Sequence, residues 1–337
     1  MKVLVVDDSI MMRTLLKDFF TEHGEEVVGE AANGKKAVEL AQSLKPDIIT
    51  MDIDMPVMNG IEAAESILAG RKNPIVIFAN DIAPDIVSRL HNIGVVEIIE
   101  KPAISRFNVP EYAEDFITRL RTLVETFSNN EKRELKKPVH SSKKESPSGR
   151  VELVVMGAST GGPEAVRRVL SSLPADFPVG IALVQHIEAR FAAGYAEWLD
   201  GHCKLKVKQA VNGEPPEPGV VYISTGDKHL VAARNKLILD DGPLIKNQRP
   251  AVEKLFRSAA DAYGSAVMGV ILTGMGTDGS EGAASIRKAG GYVIVQDEFT
   301  SFIHGMPKAA VESGGASVVL PLEKIPTAME EAVYAHR

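Results

Sequence analysis

A chain of 337 residues, 45% of them hydrophobic and 25% charged, has room for two or more cores at roughly 100–200 residues per domain. Its net charge of −7 argues against a general nucleic-acid binder, and its single cysteine, Cys203, excludes a disulfide framework or a cysteine-based zinc site. No apolar run approaches the ~20 residues that span a bilayer, and no basic-then-apolar leader precedes the first strand pattern; the expectation is a cytoplasmic protein without membrane insertion.

Residues 1–125 alternate strand and helix patterns. Strands are expected at Lys2–Val6, Glu26–Ala31, Asp47–Met51, Pro74–Phe78 and Val95–Ile99. Helices are expected at Ile10–Phe20, Lys35–Leu44, Gly60–Leu68, Pro84–Asn92 and Tyr112–Thr126. Near-continuous Val/Ile runs mark strands covered on both faces, the signature of a parallel sheet. Right-handed crossovers then give a doubly wound α/β sheet, whose functional crevice lies beyond the carboxyl ends of the strands. Asp7, Asp8, Asp52 and Lys101 all fall at such ends. Carboxylates gathered there repel one another, and a hard divalent cation such as Mg²⁺ offsets that repulsion with oxygen ligands. One carboxylate can then attack a phosphoryl group while metal and lysine neutralise the phosphate oxygens. Asp52 is the best placed nucleophile, Asp7 and Asp8 hold metal with it, and Lys101 is the cationic partner.

Residues 128–149 carry almost no apolar side chains and cannot bury enough surface to offset their ordering entropy. They are read as a flexible linker between a first domain at 1–127 and a second at 150–337. In the second, strands are expected at Val151–Met156, Val179–Val184, Leu205–Val207, Val220–Ile223, Ala266–Leu272, Tyr292–Val295 and Ser317–Val319. Helices are expected at Pro163–Leu173, Ala193–Leu199, Ala251–Ala262, Ser280–Lys288 and Glu323–Ala335, with a short antiparallel hairpin inside 209–242. This is again a mostly parallel, Rossmann-like α/β sheet.

Gly157-Ala158-Ser159-Thr160-Gly161 matches a strand-to-helix turn that exposes a serine hydroxyl. Pro163 suits the first helical position, and amides at that helix start can stabilise an oxyanion. A serine nucleophile needs a base, and the base needs an orienting carboxylate. Four histidines compete for the first role: His186, His202, His229 and His304. His186 ends the strand after the serine strand, which favours it. For the acid, Asp278 follows a strand among glycines that allow close backbone approach, and Asp297 follows another strand. Asp278 is preferred, with Asp297 as the competitor.

These motifs carry two resemblances. The first domain resembles a flavodoxin-like response-regulator receiver domain through Val-Val-Asp7-Asp8-Ser, Met-Asp52-Ile-Asp54-Met-Pro-Val-Met-Asn-Gly and Glu-Lys101-Pro102. The resemblance implies phosphorylation of Asp52 by a partner histidine kinase, and a metal site completed by the Asp54 backbone carbonyl. Two positions depart from the receiver pattern: Ala79 stands where a hydroxyl residue usually follows the fourth strand, and Ile98 where an aromatic usually precedes the lysine.

The second domain resembles the catalytic domain of the chemotaxis protein-glutamate methylesterases. The matching stretches are Gly-Ala-Ser159-Thr-Gly-Gly, Val-Gln-His186, Tyr-Ile-Ser-Thr-Gly-Asp-Lys-His, Val-Ile-Leu-Thr-Gly-Met-Gly-Thr-Asp278-Gly and Gly305-Met306-Pro307. This resemblance implies Ser159 as nucleophile, His186 as base and Asp278 as its orienter. Thr160 and Met275 then lie near the site, and the Met275 amide becomes a candidate oxyanion donor. It also implies hydrolysis of glutamate methyl esters on chemoreceptors, glutamine deamidation by the same acyl chemistry, and no cofactor for the esterase. The chain departs from the family pattern at Glu188-Ala189-Arg190 and at Ala251 and Glu253, which flank the cleft.

Overall fold

The computed structural model describes residues 1–70, 73–79, 86, 89–90, 93, 95, 97–101, 109–133 and 149–335, with backbone alone at 100, 115 and 129–133. Two compact units divide the chain, Met1–Leu135 and Lys136–Arg337.

The first unit runs β1 (Lys2–Val6), α1 (Ile10–Glu22), β2 (Glu26–Ala31), α2 (Gly34–Leu44), β3 (Ile48–Asp52), α3 (Gly60–Gly70), β4 (Ile75–Ala79), β5 (Glu97–Glu100) and α4 (Pro110–Arg133). Every residue of β3 and β4 is buried, because helices cover both faces of the sheet. Side chains start the helices: Ser9 Oγ accepts from the Met12 amide at 3.3 Å, and Asn33 Oδ1 from the Lys36 amide at 2.9 Å. The strands pair in parallel in the order β2-β1-β3-β4-β5. The order reverses direction between β1 and β3, and that switch point is where a doubly wound sheet opens its crevice. Val6 pairs with Met51, so Asp7 and Asp52 lie side by side one step further on.

The expected helix at Pro84–Asn92 lies mostly outside the described residues. Helix α4 buries Ala113, Phe116, Ile117, Leu120 and Leu123 at helical spacing. It continues to Arg133, into the segment read as linker. Residues 128–133 contain no glycine or proline to stop it. Residues 134–148 lie outside the described set.

The second unit runs β6 (Leu153–Ala158), α5 (Gly162–Ser172), β7 (Gly180–Gln185), α6 (Ala189–His202), β8 (Lys206–Gln209) and β9 (Val220–Ile223). It continues with β10 (His229–Ala233), β11 (Lys236–Asp240), α7 (Val252–Tyr263), β12 (Val267–Ile271), α8 (Ser280–Lys288), β13 (Tyr292–Gln296), α9 (Met306–Glu312), β14 (Val318–Leu320) and α10 (Ile325–Tyr334). Seven strands pair in parallel in the order β14-β13-β12-β6-β7-β9-β8. Alternation along β6 sends Val154 and Met156 to one core and Leu153 and Val155 to the other. The expected hairpin is β10–β11, paired antiparallel from His229↔Asp240 to Ala233↔Lys236. Helix α9 is an addition to the expected elements. It follows Gly305 and holds a proline in its first turn.

Candidate phosphorylation and active sites

In the first unit, three strand ends converge on one acidic crevice. Lys101 follows β5, and its Nζ lies 2.9 Å from Asp7 Oδ2 and 2.8 Å from Asp52 Oδ2. Its backbone amide donates to the Ala79 carbonyl at 3.0 Å, which fixes the lysine at the sheet edge. The Ser9 amide donates to Asp7 Oδ1 at 2.9 Å, and the Arg13 guanidinium to the Asp7 carbonyl at 2.7 Å. Asp7 and Asp52 are buried and Asp8 is exposed, and carboxylate oxygens of the three lie within 4.8 Å of one another. Burial, aided by the Asp7 charge, raises the Asp52 carboxyl above its usual range although Lys101 pulls the other way. Burial opposes the Lys101 charge, yet its bonds to Asp52 and Asp7 leave the ammonium raised. One lysine therefore does not neutralise the cluster. An all-oxygen set still short of positive charge fits a divalent cation such as Mg²⁺.

Ala79 closes β4 fully buried and presents a methyl group where a hydroxyl was the expectation of the receiver pattern. Ile98 pairs with Ile77 across β4 and β5 and is half-buried.

In the second unit, the candidate site residues follow three adjacent strands, β12, β6 and β7. Ala158 of β6 pairs with Gln185 of β7, so Ser159 and His186 stand next in line on neighbouring strands. The His186 amide donates to the Ala158 carbonyl at 3.0 Å, and the Ser159 amide to the Thr273 carbonyl beyond β12 at 3.0 Å. The serine turn closes with the Gly162 amide on the Ser159 carbonyl at 2.7 Å. Gly161 has φ +74, and any Cβ there would run into Phe302, so only glycine suits this turn.

Asp278, carried by the loop between β12 and α8, places Oδ2 2.8 Å from His186 Nε2. The same carboxylate accepts two amides from the start of α7, Val252 N to Oδ2 at 2.7 Å and Glu253 N to Oδ1 at 2.9 Å. It is thus a cap for a helix it does not belong to, and the helix N-terminus favours its negative charge. Burial works to raise its pKa; the His186 bond and charge, then the two amides, outweigh burial and hold it below the usual range. A carboxyl lowered in this way adds stability above its unfolded pKa, and loses that contribution as the pH falls through the folded value.

The competing residues have other partners. Asp297 Oδ1 accepts from Thr300 N at 2.9 Å and Oγ1 at 2.6 Å. His229 is buried, with the Ala251 amide donating to Nδ1 at 3.2 Å and Nε2 donating to the Pro243 carbonyl at 2.9 Å. That pattern is a neutral, structural histidine. His202 Nδ1 lies 2.7 Å from the Trp198 carbonyl at the end of α6. His304 bridges Gly274 through the backbone. Burial pushes the Cys203 thiol up to about 11, which removes it as a rival nucleophile. Thr160 is buried, its carbonyl accepting from Thr273 Oγ1 at 3.0 Å, and Met275 is half-buried two residues after Thr273.

Sequence reasoning missed a buried amide and hydroxyl scaffold under the site. Gln185 Nε2 donates to the carbonyls of Ser159, at 2.8 Å, and His186, at 3.2 Å. Gln296 Oε1 accepts from the Thr273 amide at 2.7 Å, and Thr273 Oγ1 accepts from the Ile303 amide at 2.8 Å. The available signal was polar residues at the ends of wholly apolar strands, where an unpaired polar group is costly.

A parallel sheet with an acidic crevice, followed by a parallel sheet that presents Ser159 and His186 at neighbouring strand ends with Asp278 bonded to His186, is the arrangement expected of a receiver-linked hydrolase. The comparisons agree. Residues 154–329 match the family model for CheB methylesterase, and residues 3–107 that for the response regulator receiver domain. The chain is 40% identical to protein-glutamate methylesterase/protein-glutamine glutaminase 2 of Anaeromyxobacter dehalogenans, over 98% of this chain and 96% of that one. It is 38% identical to the protein-glutamate methylesterase/protein-glutamine glutaminase of Pyrococcus horikoshii, over 98% and 93%. The crystal structure of the Thermotoga maritima CheB methylesterase catalytic domain aligns with a TM-score of 0.52 at 43% identity, covering 54% of this chain and 98% of that one. The chain belongs to the CheB methylesterase family and is a carboxylic-ester hydrolase that carries a receiver domain.

Two outcomes follow from the site geometry. Mg²⁺ should raise the thermal stability of the protein at neutral pH, by about 1.4 kcal/mol at ten times its dissociation constant, and Asp7→Asn should remove that gain in a melting titration. Asp278→Asn would set a side-chain amide donor against backbone or imidazole N–H groups. It should lower turnover by roughly 10³–10⁴-fold and weaken the fold by about 1–3 kcal/mol, as read by kcat and by urea unfolding.

Proposed function

We propose that the protein is a phosphorylation-regulated protein-glutamate methylesterase that hydrolyses glutamate methyl esters on the cytoplasmic helices of chemoreceptors. The single observation that carries this reading is the His186–Asp278 pair at 2.8 Å, directly beside the strand end that presents Ser159. Asp278 engages Nε2, which leaves Nδ1 as the nitrogen that takes the Ser159 proton. Ser159 Oγ attacks the ester carbonyl, and the Met275 amide, two residues after Thr273, stabilises the oxyanion. The tetrahedral intermediate collapses, His186 returns its proton to the leaving oxygen, and methanol departs. Water, deprotonated by His186, then hydrolyses the glutamyl-enzyme and frees Ser159. An amide passes through the same acyl-enzyme with ammonia as leaving group, so receptor glutamine is the second substrate. This chemistry needs no cofactor.

Regulation enters through the first unit. Asp52 accepts a phosphoryl group from a chemotaxis histidine kinase, and Lys101 binds its oxygens. Asp7, Asp8 and Asp52 are the residues that would hold Mg²⁺, which neutralises phosphoryl charge when bound. Phosphorylation shifts a population toward the form in which receptor reaches Ser159. Such partners locate the protein in the cytoplasm. No described helix is long and apolar enough to cross a membrane.

Ser159→Ala should abolish methanol release from methylated receptor; full activity in that variant would end the nucleophile assignment. Ala79 supplies no hydroxyl to bond a phosphoryl group on Asp52, so a small phosphodonor should stimulate esterase rate only weakly. Ala79→Thr should increase that stimulation, and strong stimulation of the unaltered protein would contradict the argument.

A further inference from the structure

Asp278 is held from two sides by separate pieces of chain. Its carboxylate is fastened to α7 by the amides of Val252 and Glu253. Its own backbone belongs to the loop 276–279, which both begins and ends on a left-handed glycine, at φ +80 and +85. Such a loop has little intrinsic stiffness. Something must keep the two pieces in register.

Residues Ile245–Gln248 form a tight two-residue turn just before α7. Ile245 and Gln248 exchange both backbone hydrogen bonds, at 3.1 and 2.9 Å. The central residues, Lys246 and Asn247, have φ 49 and 61. Asparagine tolerates this backbone, whereas lysine is strained in it. A strained residue persists when its side chain is put to use. Here Lys246 Nζ donates to the Thr277 carbonyl at 3.1 Å and approaches Ser280 Oγ at 3.4 Å. It also lies 3.8 Å from Glu253 Oε2 and 3.9 Å from Glu281 Oε1. Glu253 is buried, and Arg257 is its other cationic partner.

We infer that Lys246 is a positioning residue for Asp278: its ammonium ties the peptide carbonyl preceding Asp278 to the buried carboxylate of the residue whose amide binds Asp278. The inference rests on the esterase reading above. Lys246 acts on His186 only through Asp278 and touches no reacting atom. Removing the ammonium takes away the bond on the Thr277 carbonyl and leaves Glu253 relying on Arg257, while the Asp278 carboxylate, Val252 packed on Gly279 and the Arg257–Glu281 pair still join the two pieces. The orienting carboxylate then drifts, and small drifts in a proton-relay group cost rate rather than affinity.

Lys246→Asn separates the amine from the turn, because asparagine suits the backbone and lacks the charge. In the full-length protein, assayed on a glutamate methyl-ester peptide, Lys246→Asn should lower kcat about tenfold while KM changes less than twofold. Its melting temperature should equal or exceed that of the unaltered protein. Lys246→Arg, which keeps the cation, should recover most of the rate. Unchanged kcat in Lys246→Asn, an effect on KM alone, or an equal loss in both variants would overturn the inference. Ser159→Ala run in parallel keeps the two readings apart. An active Ser159→Ala enzyme would end the esterase assignment and this inference with it, whereas an inactive one beside a Lys246→Asn enzyme of normal kcat would end this inference alone.

Discussion

The catalytic unit is organised around one carboxylate that does two jobs. Asp278 caps helix α7 through two backbone amides and binds His186 Nε2 with the same group. The His186 bond and charge, then the two helix amides, hold its pKa below the usual range despite burial. An ionised, immobile acceptor is what an imidazole needs to hold one tautomer while its other nitrogen trades protons. The start of α7 and the His186 imidazole thereby share a single hydrogen-bonding centre. The scaffold of Gln185, Thr273 and Gln296 extends the same logic to the loops beyond β6, β7, β12 and β13.

The receiver unit shows the opposite electrostatic regime. Its carboxylates are gathered faster than its cations can neutralise them, and Asp52 is left with a raised pKa. A site that is under-compensated at rest has a standing affinity for a divalent cation, and with it for a phosphoryl group. Ala79 and Ile98 place no hydroxyl and no aromatic ring at the two positions where the receiver pattern has them.

Much of this was legible in the chain. The strands β1, β3, β4, β6, β7 and β12 read clearly because almost every position in them is apolar, as burial on both faces demands. Asp7, Asp52, Lys101, Ser159 and His186 read as site residues because they terminate such runs. The choice between Asp278 and Asp297 was not legible in the same way. Both follow strands, and only the sheet order, with β12 beside β6 and β13 one strand further out, puts Asp278 opposite His186. The α7 amides were invisible because backbone donors have no sequence signature. Helix α9 was missed because its few residues give too short a period, and Lys246 because a lysine in a polar turn ordinarily signals solvent.

In the proposed mechanism His186, oriented by Asp278, activates the hydroxyl of Ser159. Covalent trapping with a fluorophosphonate, located by peptide mass spectrometry, tests it most directly. One adduct is expected, on Ser159, and its formation should collapse when His186 is replaced by alanine. An adduct on another residue, or undiminished labelling of Ser159 without His186, would contradict it.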